Sequence, residues 1–298
     1  MNIGPLHLDE DERLFSDASQ IVALDEVGQD RFRSRFTERS RDDHLFGGQI
    51  IAQAIAAAGR TVDQRECNSL HAYFLAAGFA SQPVTYEVER IRDGARVSIR
   101  RVLARQGERD IACLDCSFFI GGSGLEHNLV AMPDVPPPDA VADVRSLVLP
   151  EGSDGLADEA SVAWRLPLLE IRLIDPEKMR EPVRSARQKF WLRIAAGADG
   201  DDVATNQQLV AYMSDYMLGG TAKLPHPIEF RLPRLAVTSL DHSIWFHRRH
   251  NCSDWTLFDC ESPYAGDGRA LAQGRLFDRE GRLIATVKQE GLFRSLVK

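Results

Sequence analysis

The sequence predicts an α+β protein made of two tandem units, each a curved antiparallel sheet wrapped around one central helix, with the two sheets joined edge to edge. Three observations predict it. A helix followed by four strand-like segments occurs twice along the 298 residues. Both helices are apolar around nearly their whole circumference, the pattern of a buried helix and not a surface one. The turns recur at matching places, Arg92-Asp93-Gly94 against Gly266-Asp267-Gly268 and Arg105-Gln106-Gly107-Glu108 against Asp278-Arg279-Glu280-Gly281. A repeat of this kind means one structural unit used twice. A helix apolar on every side needs cover on every side, and a strongly curved sheet supplies it. Joining two such sheets removes one free strand edge from each.

The elements follow in order. Residues 29–36 read as a strand, and after Gly47-Gly48 the run from Gln49 to Ala58 reads as the first helix. Strands are predicted near 68–77, 83–92, 95–105 and 110–120. Residues 125–160, with the run Met132-Pro133-Asp134-Val135-Pro136-Pro137-Pro138-Asp139, read as an inter-unit linker crossed by few contacts. The units are thus 1–124 and 161–298. In the second, a strand at 187–195 precedes a helix over 207–218, and strands are predicted near 234–248, 254–264, 267–278 and 282–294. The last strands of the two units match as Ile111-Ala112-Cys113-Leu114 against Ile284-Ala285-Thr286-Val287.

Composition excludes several classes. The hydrophobic share is 44% and the charged share 27%, as in a globular protein. A net charge of −8 argues against nucleic-acid binding, which needs a basic field. No apolar run is long enough to span a membrane. The N-terminus is acidic and lacks a signal-peptide core. Five scattered cysteines fit a reduced, cytoplasmic setting. Cys113 and Cys116 spell Cys-x-x-Cys, but on one strand they take opposite faces, so neither metal nor redox use is expected. His242, His247 and His250 with Cys252 alternate faces likewise, and no metal or cofactor is predicted.

One residue breaks the pattern. Asp215 falls inside the second apolar helix, where an ionised carboxylate is costly unless it is paired, hydrogen-bonded or faces a wet pocket. It is the leading candidate for chemistry. No Gly-x-Ser-x-Gly elbow is present, which argues against a serine-nucleophile triad.

Further segments carry a resemblance. Phe46-Gly47-Gly48-Gln49, Leu70-His71-Ala72-Tyr73-Phe74-Leu75, Arg92-Asp93-Gly94 and Ser117-Phe118-Phe119 stand in the first unit. Ser214-Asp215, Leu240-Asp241-His242-Ser243-Ile244-Trp245-Phe246-His247-Arg248 and Gln289-Glu290-Gly291 stand in the second. In this order they resemble the acyl-CoA thioesterase II family, whose members are double hotdog proteins, over most of the chain. The resemblance implies hydrolysis of fatty acyl-CoA to free acid and CoA, without a cofactor. It implies catalysis by Asp215, Ser239 and Gln289: a general base with two neutral groups that aim the water. The family's threonine is Ser239 here, with Thr238 beside it. Strand alternation lets only one of the two face the site, and a one-residue shift of the match would exchange them. The loop Leu75-Ala76-Ala77-Gly78 lacks the arginine and proline that many members carry.

Oxyanion donors are expected at a helix start, either Gly47-Gly48 or the chain just before 207. For the CoA phosphates the candidates are Arg248 and Arg249 with His250, or Arg96 with Arg100 and Arg101. His71 and His242 take similar places in the two units and are expected to make structural hydrogen bonds, as is Asp241. Trp191, Trp245 and Trp255 are expected in the core or an interface. A homo-oligomer, dimer or tetramer, is expected by analogy with other hotdog proteins. The rivals are a hotdog enoyl-CoA hydratase and a non-catalytic acyl-CoA-binding module. The hydratase needs an Asp and a His five residues apart, and no such pair exists in the sequence.

Overall fold

The structure is a computed structural model that describes residues 17–38, 43–146, 168–181, 183–195, 202–226 and 235–295. The first unit opens with a short helix, α1 (Ser19–Val22), and strands β1 (Leu24–Gly28) and β2 (Arg31–Ser34). The central helix α2 (Gly47–Gly59) follows, then β3 (Glu66–Phe74), β4 (Thr85–Asp93), β5 (Val97–Gln106) and β6 (Arg109–Phe119). The second unit holds β7 (Leu169–Leu173), β8 (Arg187–Ile194) and the central helix α3 (Val203–Ser214). After it come β9 (Leu235–Ser239), β10 (Asp241–Phe246), β11 (Thr256–Gly266), β12 (Arg269–Phe277) and β13 (Leu283–Ser295).

One antiparallel sheet runs through both units in the order β1-β2-β4-β5-β6-β3-β10-β13-β12-β11-β8-β7, with β9 paired to β13 off this path. Read outward from the middle, the two halves have the same order. They meet where β3 pairs with β10 through Asp241–Tyr73, Ser243–His71 and Trp245–Ser69. Every residue from Gly48 to Ala58 is buried, and so is the run Leu209–Ser214 of α3. The all-round apolar helices are therefore core elements, and one core runs through both units. α2 and α3 touch closely because Gly48 has no side chain: a Cβ there would lie 2.6 Å from the Tyr212 carbonyl oxygen.

Three expectations need correction. The second helix spans 203–214, not 207–218, and Asp215 is its C-cap, not a mid-helix residue. Asp202 sets the earlier start, accepting from the Ala204 N–H at 3.1 Å. Met217, at φ 58°, turns the chain out of helical geometry after Ser214. The predicted strand 234–248 is broken at Leu240 into β9 and β10. There the Asp241 carboxylate accepts the Glu290 N–H at 2.7 Å, so Asp241 is structural as expected. The described part of the Pro-rich segment is not free of contacts. Val130, Met132 and Val135 pack on Trp191, Trp255, Leu257 and Phe277, and Trp191 Nε1 donates to Pro136 O at 2.9 Å. Residues 147–160 of that segment lie outside the described residues. No helix among the described residues is long and apolar enough to cross a membrane.

Candidate active site

α3 ends against β13 and the β9–β10 break, and this brings Asp215, Ser239 and Gln289 together. Gln289 Nε2 donates to Asp215 Oδ1 at 2.5 Å and to Ser239 Oγ at 3.0 Å. The Asp215 side chain is 7% exposed and Gln289 2%, so the cluster is enclosed. Ser239 is half-buried and faces the cluster, while Thr238 is exposed. Gln289 Oε1 points the other way, into room left by Gly219, where a Cβ would lie 3.1 Å from it.

The first unit supplies one wall. A Cβ on Gly47 would lie 2.7 Å from Asp215 Oδ2 and 3.1 Å from Phe74 Cζ. The carboxylate therefore sits at the N-terminus of α2, the electropositive end of that helix. No side chain caps this end of α2. The alternative donor site, the start of α3, is capped by its own Asp202 and lies a whole helix away from Asp215.

Two residues join the site that sequence reasoning did not place there. His242 is fully buried. Its Nδ1 lies 3.4 Å from Gln289 Nε2 and 3.7 Å from Asp215 Oδ1, and its Nε2 lies 2.9 Å from Ser214 Oγ. Burial pushes its pKa below the usual histidine value, against the opposing pull of the Asp215 and Asp241 charges. Ser239 and His242 are three apart, which on an unbroken strand means opposite faces. The break at Leu240 restores both to one side. His71, its expected counterpart, is exposed and bonds Ser243 Oγ at 3.0 Å, so the two histidines are not equivalent. The second addition is Glu38, whose carboxylate accepts from the Tyr212 phenol at 2.8 Å. Burial raises its pKa to about 7; the Tyr212 hydrogen bond lowers it and the nearby Asp215 charge raises it further.

Comparisons with known proteins point to one family. A family described as acyl-CoA thioesterase matches residues 174–292, and one described as acyl-CoA thioesterase N-terminal domain matches 37–121. Acyl-coenzyme A thioesterase 8 of Rattus norvegicus is 36% identical over 93% of this chain and 88% of its own length. Acyl-CoA thioesterase 2 of Haemophilus influenzae is 36% identical over 84% of this chain and 87% of its own. The chain belongs to the acyl-CoA thioesterase family. Among solved structures, the acyl-CoA thioesterase II TesB2 of Mycobacterium marinum superposes with a TM-score of 0.76 at 33% identity, covering 94% of this chain and 99% of its own. A hot dog fold protein from Alicyclobacillus acidocaldarius superposes with a TM-score of 0.74 at 20% identity, covering 94% of this chain and 98% of its own; it speaks for the fold alone. The α+β double hotdog expectation thus holds, and the chain is an acyl-CoA thioester hydrolase by family.

The basic residues are placed elsewhere in this thioesterase. Arg248 and Arg249 are exposed beyond the end of β10 remote from Asp241. Arg249 is held by Glu66 in a forked ion pair. Arg100 is 1% exposed, and its guanidinium bonds Thr61 Oγ1 and O, Arg92 O and Asp93. A buried guanidinium so fully paired is structural and unavailable to phosphate. Arg101 pairs with Asp115 and Arg96 donates to Gly121 O. All five cysteines are free, with Cys116 buried and Cys113 half-exposed, as opposite faces require. Among the described residues no group of three or more His, Cys, Asp or Glu is placed to hold a metal ion.

Proposed function

We propose that the chain hydrolyses fatty acyl-CoA to fatty acid and CoA, with water activated by Asp215 and aimed by Ser239 and Gln289. One observation carries this reading: a single amide nitrogen, Gln289 Nε2, ties Asp215 Oδ1 and Ser239 Oγ into one unit. Because Ser239 accepts from Gln289, its own hydrogen is left to donate. Asp215 then takes a proton as the water oxygen bonds to the thioester carbonyl carbon. The tetrahedral intermediate collapses, the C–S bond breaks, and the departing sulfur recovers the proton from Asp215. Its negative oxygen requires donors. The backbone N–H groups of Gly47 and Gly48, at the uncapped start of α2 beside Asp215, are suited to that role. Fatty acyl-CoA is taken as the substrate from the family and its named relatives.

Asp215→Asn keeps the shape and removes the base. CoA release, followed with a thiol reagent over a series of acyl chain lengths, should fall by about 10²- to 10⁴-fold. A folded Asp215→Asn protein with full turnover would sink the proposal.

A further inference from the structure

His242 is not among the three residues above, yet it touches two of them. Its protonation can be read from the hydrogen bonds around it. Ser214 Oγ has one hydrogen, and it lies 2.7 Å from the Ala211 carbonyl oxygen, a group that can only accept. That hydrogen is therefore spent within α3. Ser214 Oγ must then accept from His242 Nε2 at 2.9 Å, so the ring proton sits on Nε2. Complete burial keeps the ring from taking a second proton. Nδ1 is left as a bare acceptor turned toward Gln289 and Asp215.

The consequence falls on Gln289. Its amide nitrogen faces three acceptors: Asp215 Oδ1 at 2.5 Å, Ser239 Oγ at 3.0 Å and His242 Nδ1 at 3.4 Å. If the amide turned over, its oxygen would meet a carboxylate oxygen and a bare nitrogen, lone pair against lone pair. We infer that His242 is a positioning residue: with its proton fixed on Nε2 by Ser214, it presents a bare Nδ1 that keeps the donor side of the Gln289 amide turned to Asp215 and Ser239. The inference rests on the roles proposed for Asp215 and Gln289, and it adds the device that holds them in register. Ser214, the residue before the base, gains a role as well, because its hydroxyl sets the tautomer.

Two readouts test it. In the wild-type protein with ¹⁵N-labelled histidine, the His242 ring should show a protonated Nε2 and an unprotonated Nδ1. A proton on Nδ1, or on both nitrogens, overturns the inference whatever the mutants do. In steady-state kinetics, His242→Leu should lower kcat by on the order of 10- to 100-fold with KM within about twofold, since misplacing a positioned group costs that much. His242→Asn, whose amide oxygen can stand near the place of Nδ1, should recover most of the loss. Ser214→Ala should mix the two tautomers in the nitrogen spectrum and lower kcat in step. A folded His242→Leu protein with wild-type kcat, or a Ser214→Ala protein with an unmixed tautomer, overturns the inference. Should Asp215→Asn retain turnover, the general-base reading fails, while the tautomer measurement stands or falls by itself.

Discussion

α2 ends at Gly59 with Arg60 as its C-cap, and α3 ends at Ser214 with Asp215 in the same place. The comparison extends to the strands. With Ile111–Leu114 set against Ile284–Val287, the counterpart of Gln289 is Cys116. Cys116 pairs across the ladder with Leu70, where the second unit has His242 next to the Ser243–Lys288 pair. One unit thus carries Asp215, Gln289 and His242 where the other carries Arg60, Cys116 and Leu70. Arg60 is occupied, donating to Leu24 O at 3.1 Å and lying over the Phe32 ring. The helix starts differ in the opposite sense. α3 is capped by Asp202, whereas α2 begins at Phe46 with no side-chain cap and presents Gly47 to Asp215. The same fold, used twice, has been divided: the second unit holds the side chains proposed to react and the first offers a helix start without a side-chain cap.

After loss of the Asp215 carboxylate itself, the next largest effect should come from altering equivalent strand positions. Gln289→Ala removes the amide that ties Asp215 to Ser239 and should lower kcat by about 10²-fold. Cys116→Ala alters the matching position of the first unit, a buried free thiol, and should leave kcat within about twofold. Equal losses in the two variants would break the division of labour.

A smaller effect is expected at the helix ends, where two neighbouring glycines should separate chemistry from stability. At Gly47 an added Cβ meets Asp215 Oδ2 and the Phe74 ring, both far ends of side chains that can shift without moving backbone. Gly47→Ala should therefore fold normally and lose about tenfold in kcat through a displaced carboxylate. At Gly48 the added Cβ meets the Tyr212 backbone oxygen, so the two helices must part. Gly48→Ala should cost about 1–3 kcal/mol of stability, measured by urea unfolding. Asp202→Ala, at the capped end of α3, should cost about 1 kcal/mol and leave kcat unchanged. A Gly47→Ala protein as active as wild type would remove α2 from the site.

The repeat was legible because it is written in hydrophobic period and turn chemistry, which are local properties. The turns at Arg92-Asp93-Gly94 and Gly266-Asp267-Gly268 fall in the hairpins joining β4 to β5 and β11 to β12. Asp215 was legible because a carboxylate among apolar neighbours is anomalous in any register. Its real position, at the helix end, was not. Asp202 had to be recognised as an N-cap, and Met217 had to take a left-handed conformation that its side chain does not announce. His242 was hidden by the break at Leu240, since strand parity counts faces only while the ladder is continuous. Arg100 looked like a surface cation because several of its partners, the carbonyls of Thr61 and Arg92 among them, are backbone groups with no sequence signature.

Glu38 carries the smallest predicted effect and tests how closely the first unit is coupled to Asp215. It is fastened to its own unit, since its N–H donates to Gln49 Oε1 at 2.8 Å, and it reaches the other through Tyr212. Burial and the Asp215 charge hold its carboxyl protonated up to about 7 despite the Tyr212 bond, whereas an unfolded glutamate ionises near 4.5. Between these values the folded protein binds the extra proton, so stability from this group is greatest below 4.5 and is lost as pH rises toward 7. His242, with its pKa lowered by burial, acts in the opposite sense: its contribution is lost as pH falls below the unfolded histidine value near 6.5. Glu38→Gln keeps an acceptor for the Tyr212 phenol and abolishes the ionisation. Relative to wild type, its urea midpoint should therefore rise between pH 4.5 and 7. Asp215→Asn, which removes the neighbouring charge, should shrink that rise by bringing the Glu38 titration down. Parallel midpoints for wild type and Glu38→Gln across this range would show that the Glu38 carboxyl is solvated and that its ionisation is not linked to Asp215.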